Sequence, residues 1–362
     1  MSSKLKVGII GCGGIANGKH MPSIKQIKEV EMIAFCDTII ERAKKAAEEY
    51  GEAGAKTYSD YKELLSDKSI DIIYVLTPNR DHSPMTIDAL NAGKHVMCEK
   101  PMAKTSKEAK EMMETAKKTG KVLTIGYQNR FRENSQYLKK MVDRGDLGEI
   151  YFAKAHAIRR RGVPTWGVFL DEEAQGGGPL IDIGTHALDL TLWMMDNYKP
   201  KTVTGSVYHK LNNQIDSGNA FGSWNPNEFT VEDSAFGFIT MENGATIILE
   251  SSWALNIVEE GEAITTLCGT KAGADMKEGM DSLCINGVDL GKKYVTYPDL
   301  SIGSVPFFEG ENKTPQVSEQ RAFINAVLNN EPLTVLPEQA YVVTQILEAI
   351  YESAKIGKPI IF

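Results

Sequence analysis

The sequence predicts an α/β protein of two domains: a doubly wound parallel sheet, then an α+β domain on a large, mostly antiparallel sheet. Short, fully apolar runs alternate with helical segments up to residue 125, and longer strand-like runs with few intervening helices follow. The 362 residues also exceed the roughly 250 to 300 at which single cores stop growing. The boundary therefore falls between a domain of residues 1–125 and one of residues 126–362.

In the first domain the apolar runs 7–10, 32–36, 72–76, 96–98 and 122–125 suit strands covered on both faces. Helical patterns at 39–50, 59–65, 84–91 and 106–119 lie between them, with Gly51, Gly93 and Gly120 where helices stop. A helix at 134–144 and a turn at 145–148 lead into strands at 150–158, 202–207, 234–240, 245–251 and 263–267. Asn243-Gly244 between two of these is a strong hairpin signal. Helices are expected at 183–195, 320–328 and 338–354, and the stretches 212–227 and 292–314 read as long loops.

With 42% hydrophobic and 24% charged residues, the composition is that of a packed globular protein. A net charge of −8 argues against nucleic-acid or membrane partners, which recruit basic patches. Arg159-Arg160-Arg161, the one dense basic cluster, reads as a solvated face. Cys12, Cys36, Cys98, Cys268 and Cys284 lack the close pairing of metal or redox motifs and read as free thiols. No secretory leader pattern opens the sequence and no run reaches the roughly 20 apolar residues of a membrane span, so the cytoplasm is expected.

Gly11-x-Gly13-x-x-Ala16, with Gly14 and Ile15 inside it, follows an apolar strand and precedes a helix pattern. Its glycines permit a tight turn that seats a pyrophosphate on unpaired backbone amides. Asp37 lies at the end of the next strand, where an acid binds both ribose hydroxyls of NAD and repels a 2′-phosphate. Thr38 and the two isoleucines after it supply no cation for that phosphate, so NAD is expected over NADP. The competing reading is a glycine turn with Asp37 as a helix cap. Thr77-Pro78-Asn79 ends the next strand at the same sheet edge, with His82 lining or supporting that loop.

Lys100 follows a strand at this edge and precedes Pro101, which keeps it out of helical geometry. A lysine beside oxidised nicotinamide has its pKa lowered and, as a cation, stabilises a developing alkoxide. Asp182 and His186 stand four residues apart behind the run Gly176-Gly177-Gly178 and can face one direction on a helix. His186 is the expected base for a hydroxyl proton, with Asp182 orienting it or binding a neighbouring hydroxyl. Asp182 as a helix cap and His186 as a satisfied buried histidine remain the plainer alternative. No third ligand accompanies the pair, so no metal site is expected.

These motifs together resemble the Gfo/Idh/MocA family, the glucose-fructose oxidoreductase and inositol dehydrogenase group. The resemblance spans the chain and includes Glu99-Lys100-Pro101, residues 126–131, residues 176–186 and Glu232-Asp233. It implies a Rossmann domain, a second domain whose open sheet forms homo-oligomers, and catalytic Lys100, Asp182 and His186. It also implies Glu99 and Gln128 near the nicotinamide and Arg159 and Trp166 near the substrate mouth. The expected reaction is NAD-dependent oxidation of a ring secondary hydroxyl of a sugar, glycoside or cyclitol, as at the third carbon of a glycoside. The alternatives are an NAD-dependent glycoside hydrolase working by oxidation and elimination, and a non-catalytic sugar sensor.

Overall fold

In a computed structural model, residues 4–214, 218–276, 283–300 and 314–362 are described. The chain divides into one unit of residues 1–128 with 313–341 and another of residues 129–312 with 342–362.

Apolar runs in the first unit pair as a parallel sheet of β1 (Leu5–Ile10), β2 (Val30–Cys36), β3 (Lys56–Tyr58), β4 (Ile72–Val75), β5 (His95–Cys98) and β6 (Leu123–Ile125). The order is β3-β2-β1-β4-β5-β6, so the winding reverses between β1 and β4 and opens a crevice at the carboxyl ends of the strands. Val7, Ile9, Ile72, Ile73 and Val96 are wholly buried, as strands covered on both faces require. The helix Ser106–Thr119 has a Thr105/Glu108 capping box and ends at Gly120 with φ 67°.

Two local differences from the sequence reading have simple causes. The edge strand β3 is three half-polar residues that give no periodic signal. The helix Asn79–Asn91 starts right after Pro78 and contains Pro84, which the sequence suggested as a first-turn proline.

The helix Pro315–Asn329 also belongs to the first unit. Thr314 caps it, and Phe323 and Ile324 enter the core around Ile9, Met21, Ile24 and Tyr74. Each such fully buried side chain contributes roughly 1.5–3 kcal/mol. The sequence reading kept everything after residue 125 in the second domain, because an amphipathic pattern marks a buried face without naming its core.

The second unit's sheet comprises β7 (Ile150–Ile158), β8 (Pro200–Tyr208), β9 (Ser234–Met241), β10 (Thr246–Ser252), β11 (Gly261–Gly269), β12 (Ala272–Met276), β13 (Leu283–Asp289), β14 (Lys292–Thr296) and β15 (Ile360–Ile361). The order is β14-β13-β12-β11-β7-β10-β9-β8-β15, antiparallel throughout except for the parallel β7/β10 pair. The Asn243-Gly244 turn joins β9 to β10, with Gly244 at φ 87°. The helix Thr185–Met195 packs on β7 and β11. Ile350, in the helix Pro337–Ile356, lies so close to Gly205 and Gly237 that a Cβ there would stand 2.3 and 2.5 Å from it. Phe236 and Ile248 are half-buried and Phe238 is exposed on the other face.

Part of the expected loop 292–314 is the edge strand β14, while residues 301–313 lie outside the described residues. In the expected loop 212–227, residues 215–217 also lie outside them, and Trp224 is buried with its Nε1 donating to Asn212 O at 2.8 Å. No helix among the described residues is long and apolar enough to cross a membrane.

Candidate active site

At the end of β1, Gly11 has φ 93°, and a Cβ there would meet Leu76 O at 2.5 Å. Glycine is thus required both by backbone conformation and by the approach of β4. Nothing stands within 4 Å of a Cβ at Gly13 or Gly14, and Gly14 and Ile15 are exposed. Asn17 Nδ2 closes the turn by donating to Cys12 O and Gly13 O at 2.9 and 2.8 Å.

Asp37 accepts from Cys12 N through Oδ2 and from Ile39 N through Oδ1, each at 2.9 Å. Its carboxylate is therefore fixed against the glycine turn, with acceptor capacity left for ribose hydroxyls. Thr38, next in sequence, is exposed. An open glycine turn beside an anchored acid fits NAD.

His82 is buried between two carbonyls, with Nε2 2.9 Å from Thr77 O and Nδ1 2.7 Å from Pro101 O. It ties the Thr77-Pro78-Asn79 segment to the Lys100-Pro101 segment from below. Burial holds its pKa beneath the ordinary histidine value despite both carbonyls, so the ring is neutral and donates to one of them.

Lys100 follows β5 and is half-buried, and its backbone N donates to Glu99 Oε2 at 2.9 Å. Glu99 itself is buried, with Oε1 2.8 Å from Lys19 Nζ and 2.7 Å from His20 Nε2. Burial would raise its pKa, but Lys19 and His20 hold it well below the ordinary carboxylate value. Gln128, at the start of the short helix Gln128–Phe131, has a buried Oε1 with no hydrogen-bond partner among the described residues.

The sequence reading missed Lys19 and His20. They end the π-helical turn Ala16–His20, whose wider winding lets both neighbours face inward. Nothing in a lysine-histidine pair announces that geometry.

In the second unit, Asp182 lies in another π-helical turn, Leu180–Gly184, and His186 is the second residue of the α-helix that continues it. The sequence expectation of a regular helix from about residue 183 is thus corrected by one turn. Glu232 caps this start: its carboxylate accepts from Gly178 N at 2.8 Å, Leu180 N at 3.1 Å and Tyr351 OH at 2.8 Å. The glycine run makes this possible, since a Cβ at Gly178 would stand 2.3 Å from Glu232 O and one at Gly177 would stand 2.0 Å from Tyr351 OH.

Asp182 Oδ2 accepts from Trp253 Nε1 at 3.0 Å and lies 4.0 Å from Arg159 Nη1. His186 is buried. Arg159 makes a bidentate pair with Glu262 at 2.7 and 2.9 Å, and its Nη1 also donates to Gly162 O at 3.1 Å. Much of its charge is thereby matched inside the protein. Trp166 is exposed and packs edge-on against Phe169 and Phe221, ring centres 5.7 and 4.9 Å apart. Trp253, Glu262 and Phe221 are thus the neighbours the sequence reading did not single out, and Glu232, noted only within the family resemblance, was given no role. Each comes from a strand or loop remote in sequence from the residue it supports.

Comparison with known proteins agrees with both units. Residues 5–127 match the GFO_IDH_MocA oxidoreductase family, NAD-binding Rossmann fold, and residues 135–275 match the GFO/IDH/MocA C-terminal domain. The chain is 39% identical over 356 residues to D-glucoside 3-dehydrogenase of Escherichia coli (strain K12), covering 98% of this chain and 97% of that protein. It is 29% identical over 197 residues to inositol 2-dehydrogenase of Salmonella typhimurium, covering 54% of this chain and 56% of that protein. Levoglucosan dehydrogenase in complex with NADH and levoglucosan has the same fold, with TM-score 0.84, 20% identity and 99% of each chain covered. The chain belongs to the Gfo/Idh/MocA family of oxidoreductases and opens with its NAD-binding Rossmann domain.

Proposed function

We propose that this protein oxidises a ring secondary hydroxyl of a sugar, glycoside or cyclitol, and that its substrate is a glucoside converted to the 3-keto form. The observation that carries the reading is the full-length similarity to D-glucoside 3-dehydrogenase. When bound, NAD supplies the acceptor for the hydride leaving the carbinol carbon. His186 takes the hydroxyl proton, and Asp182, held by Trp253, fixes the substrate or the histidine in place. Lys100 donates to the reacting oxygen and offsets the charge that develops there. Gly11, Gly13, Gly14, Ile15, Asp37, Thr38, Thr77, Pro78, Asn79, His82, Glu99 and Gln128 form or support the NAD site, and Arg159 and Trp166 the substrate site.

The apolar side chains Phe236, Phe238 and Ile248 on the sheet face support a homo-oligomer formed through that face. The five cysteines are free, which suits a cytoplasmic location. Incubation with NAD and a panel of glucosides, free sugars and inositols, following NADH absorbance and product mass together, tests the reaction. A product two hydrogens lighter with matching NADH is expected. Released aglycone without NADH would instead establish the oxidation–elimination hydrolase.

A further inference from the structure

Lys19 is placed between two buried carboxyl groups, Glu99 Oε1 at 2.8 Å and Glu319 Oε2 at 3.0 Å. Glu319 comes from the helix Pro315–Asn329, so a late segment of the chain reaches the floor beneath Lys100. All three side chains are less than a tenth exposed. One cation facing two carboxylates in such surroundings leaves a net negative charge that burial disfavours, so one carboxyl retains its proton.

The donors decide which. Glu99 also receives His20 Nε2 at 2.7 Å and Lys100 N at 2.9 Å. The tautomer is set from the far side, because Gln320 Nε2 contacts His20 Nδ1 at 3.2 Å. Burial and the Lys19 cation keep His20 neutral. Glu319 has only Lys19 and, at 3.2 Å, Gln320 Nε2 on Oε2, while its Oε1 has no hydrogen-bond partner among the described residues. The proton therefore resides on Glu319. Burial and the negative charge of Glu99 raise its pKa to about 7 against the pull of Lys19.

The other ionisable groups around this cluster are Tyr74, whose hydroxyl is buried and unpartnered among the described residues, then Cys98, His82 and Lys100 around Glu99. Burial raises Tyr74 and Cys98 and lowers His82, so all three are neutral at the pH where Glu319 titrates.

We propose that Glu319 and Lys19 are positioning residues for Lys100: neutral Glu319 leaves Lys19 committed to Glu99, which holds the Lys100 main chain, and ionised Glu319 divides Lys19 between two carboxylates and loosens that hold. The inference rests on Lys100 acting in the reaction proposed above. It names a role for two residues that the proposed function places in neither the NAD site nor the substrate site.

The test compares wild type, Glu319→Gln, Lys19→Met and Lys100→Ala in glucoside oxidation from about pH 6 to about pH 9. The Glu319→Gln to wild-type ratio of kcat cancels ionisations common to both enzymes. It is expected to rise from about one at the acid end to about threefold or more at the alkaline end, with the dissociation constant for NAD unchanged. Lys19→Met, with circular dichroism confirming its fold, is expected to lower kcat about tenfold across the range. A flat ratio together with an inactive Lys100→Ala enzyme overturns the inference while leaving the catalytic lysine in place. Full turnover by Lys100→Ala overturns both.

Discussion

Trp253 donates its indole N–H to Asp182 Oδ2 at 3.0 Å, and the indole is wholly buried. The hydrogen bond fixes a carboxylate on a π-helical turn, where the backbone alone constrains it less than a regular helix would. Trp253→Phe keeps most of the apolar contact and removes the donor. Loss of a hydrogen bond to a charged group costs about 1.5–3 kcal/mol, so kcat/KM for the sugar is expected to fall about tenfold or more. Unchanged steady-state kinetics would show that Asp182 is oriented by its other neighbours.

In the proposed NAD site, Asp37 is the residue expected to select between NAD and NADP. Asp37→Ala removes the acceptor for Cys12 N and Ile39 N as well as for the ribose. The dissociation constant for NAD, read by fluorescence titration, is expected to rise about tenfold to a hundredfold, and the preference over NADP to shrink. Tight NAD binding with unchanged preference would place the selection elsewhere.

Glu232 receives three donors at the start of the helix bearing His186. Glu232→Ala leaves Gly178 N, Leu180 N and Tyr351 OH without their acceptor in a buried site. The expected loss is roughly 3–5 kcal/mol of stability, as a lower midpoint in urea. Crowding points the same way: Gly178→Ala would drive a methyl into Glu232 O at 2.3 Å. A stable Glu232→Ala protein would mean that water replaces the carboxylate at little cost.

Stability has a pH dependence whose sign follows from Glu319. Its folded-state pKa of about 7 lies above the ordinary 4.5, so the folded protein binds the extra proton. Its contribution is fully present below about 4.5 and is lost as pH rises to about 7. Glu99, held well below its ordinary value, contributes in the opposite sense and loses its share as pH falls through the acid range. Comparison of thermal midpoints for wild type and Glu319→Gln should therefore show the wild-type advantage shrinking from acid toward neutral pH. A constant difference would contradict this assignment.

Much of the fold was legible in the sequence because its signals are local. The strand at 150–158 and the helix at 106–119 have the bounds their residues suggest, since apolar alternation, a capping box and a terminal glycine act over a few residues. The cofactor turn was legible for the same reason. What escaped depends on partners remote in sequence: Glu99 at Lys19, 80 residues away, and Asp182 at Trp253, 71 residues away. The strand β12, Ala-Gly-Ala-Asp-Met, is too short and its side chains too small to register, and only its neighbours make it a strand. The two π-helical turns are likewise invisible to a 3.6-residue pattern, yet they carry Lys19, His20 and Asp182.

The return of the helix Pro315–Asn329 to the first unit sets an order of events during synthesis. A ribosome that has released residues 1–128 has produced every strand of the parallel sheet, but not Phe323, Ile324 or Glu319. The nascent sheet carries Lys19 and Glu99 without their third member until translation passes residue 329. The NAD-binding unit is therefore completed only after most of the second unit has emerged.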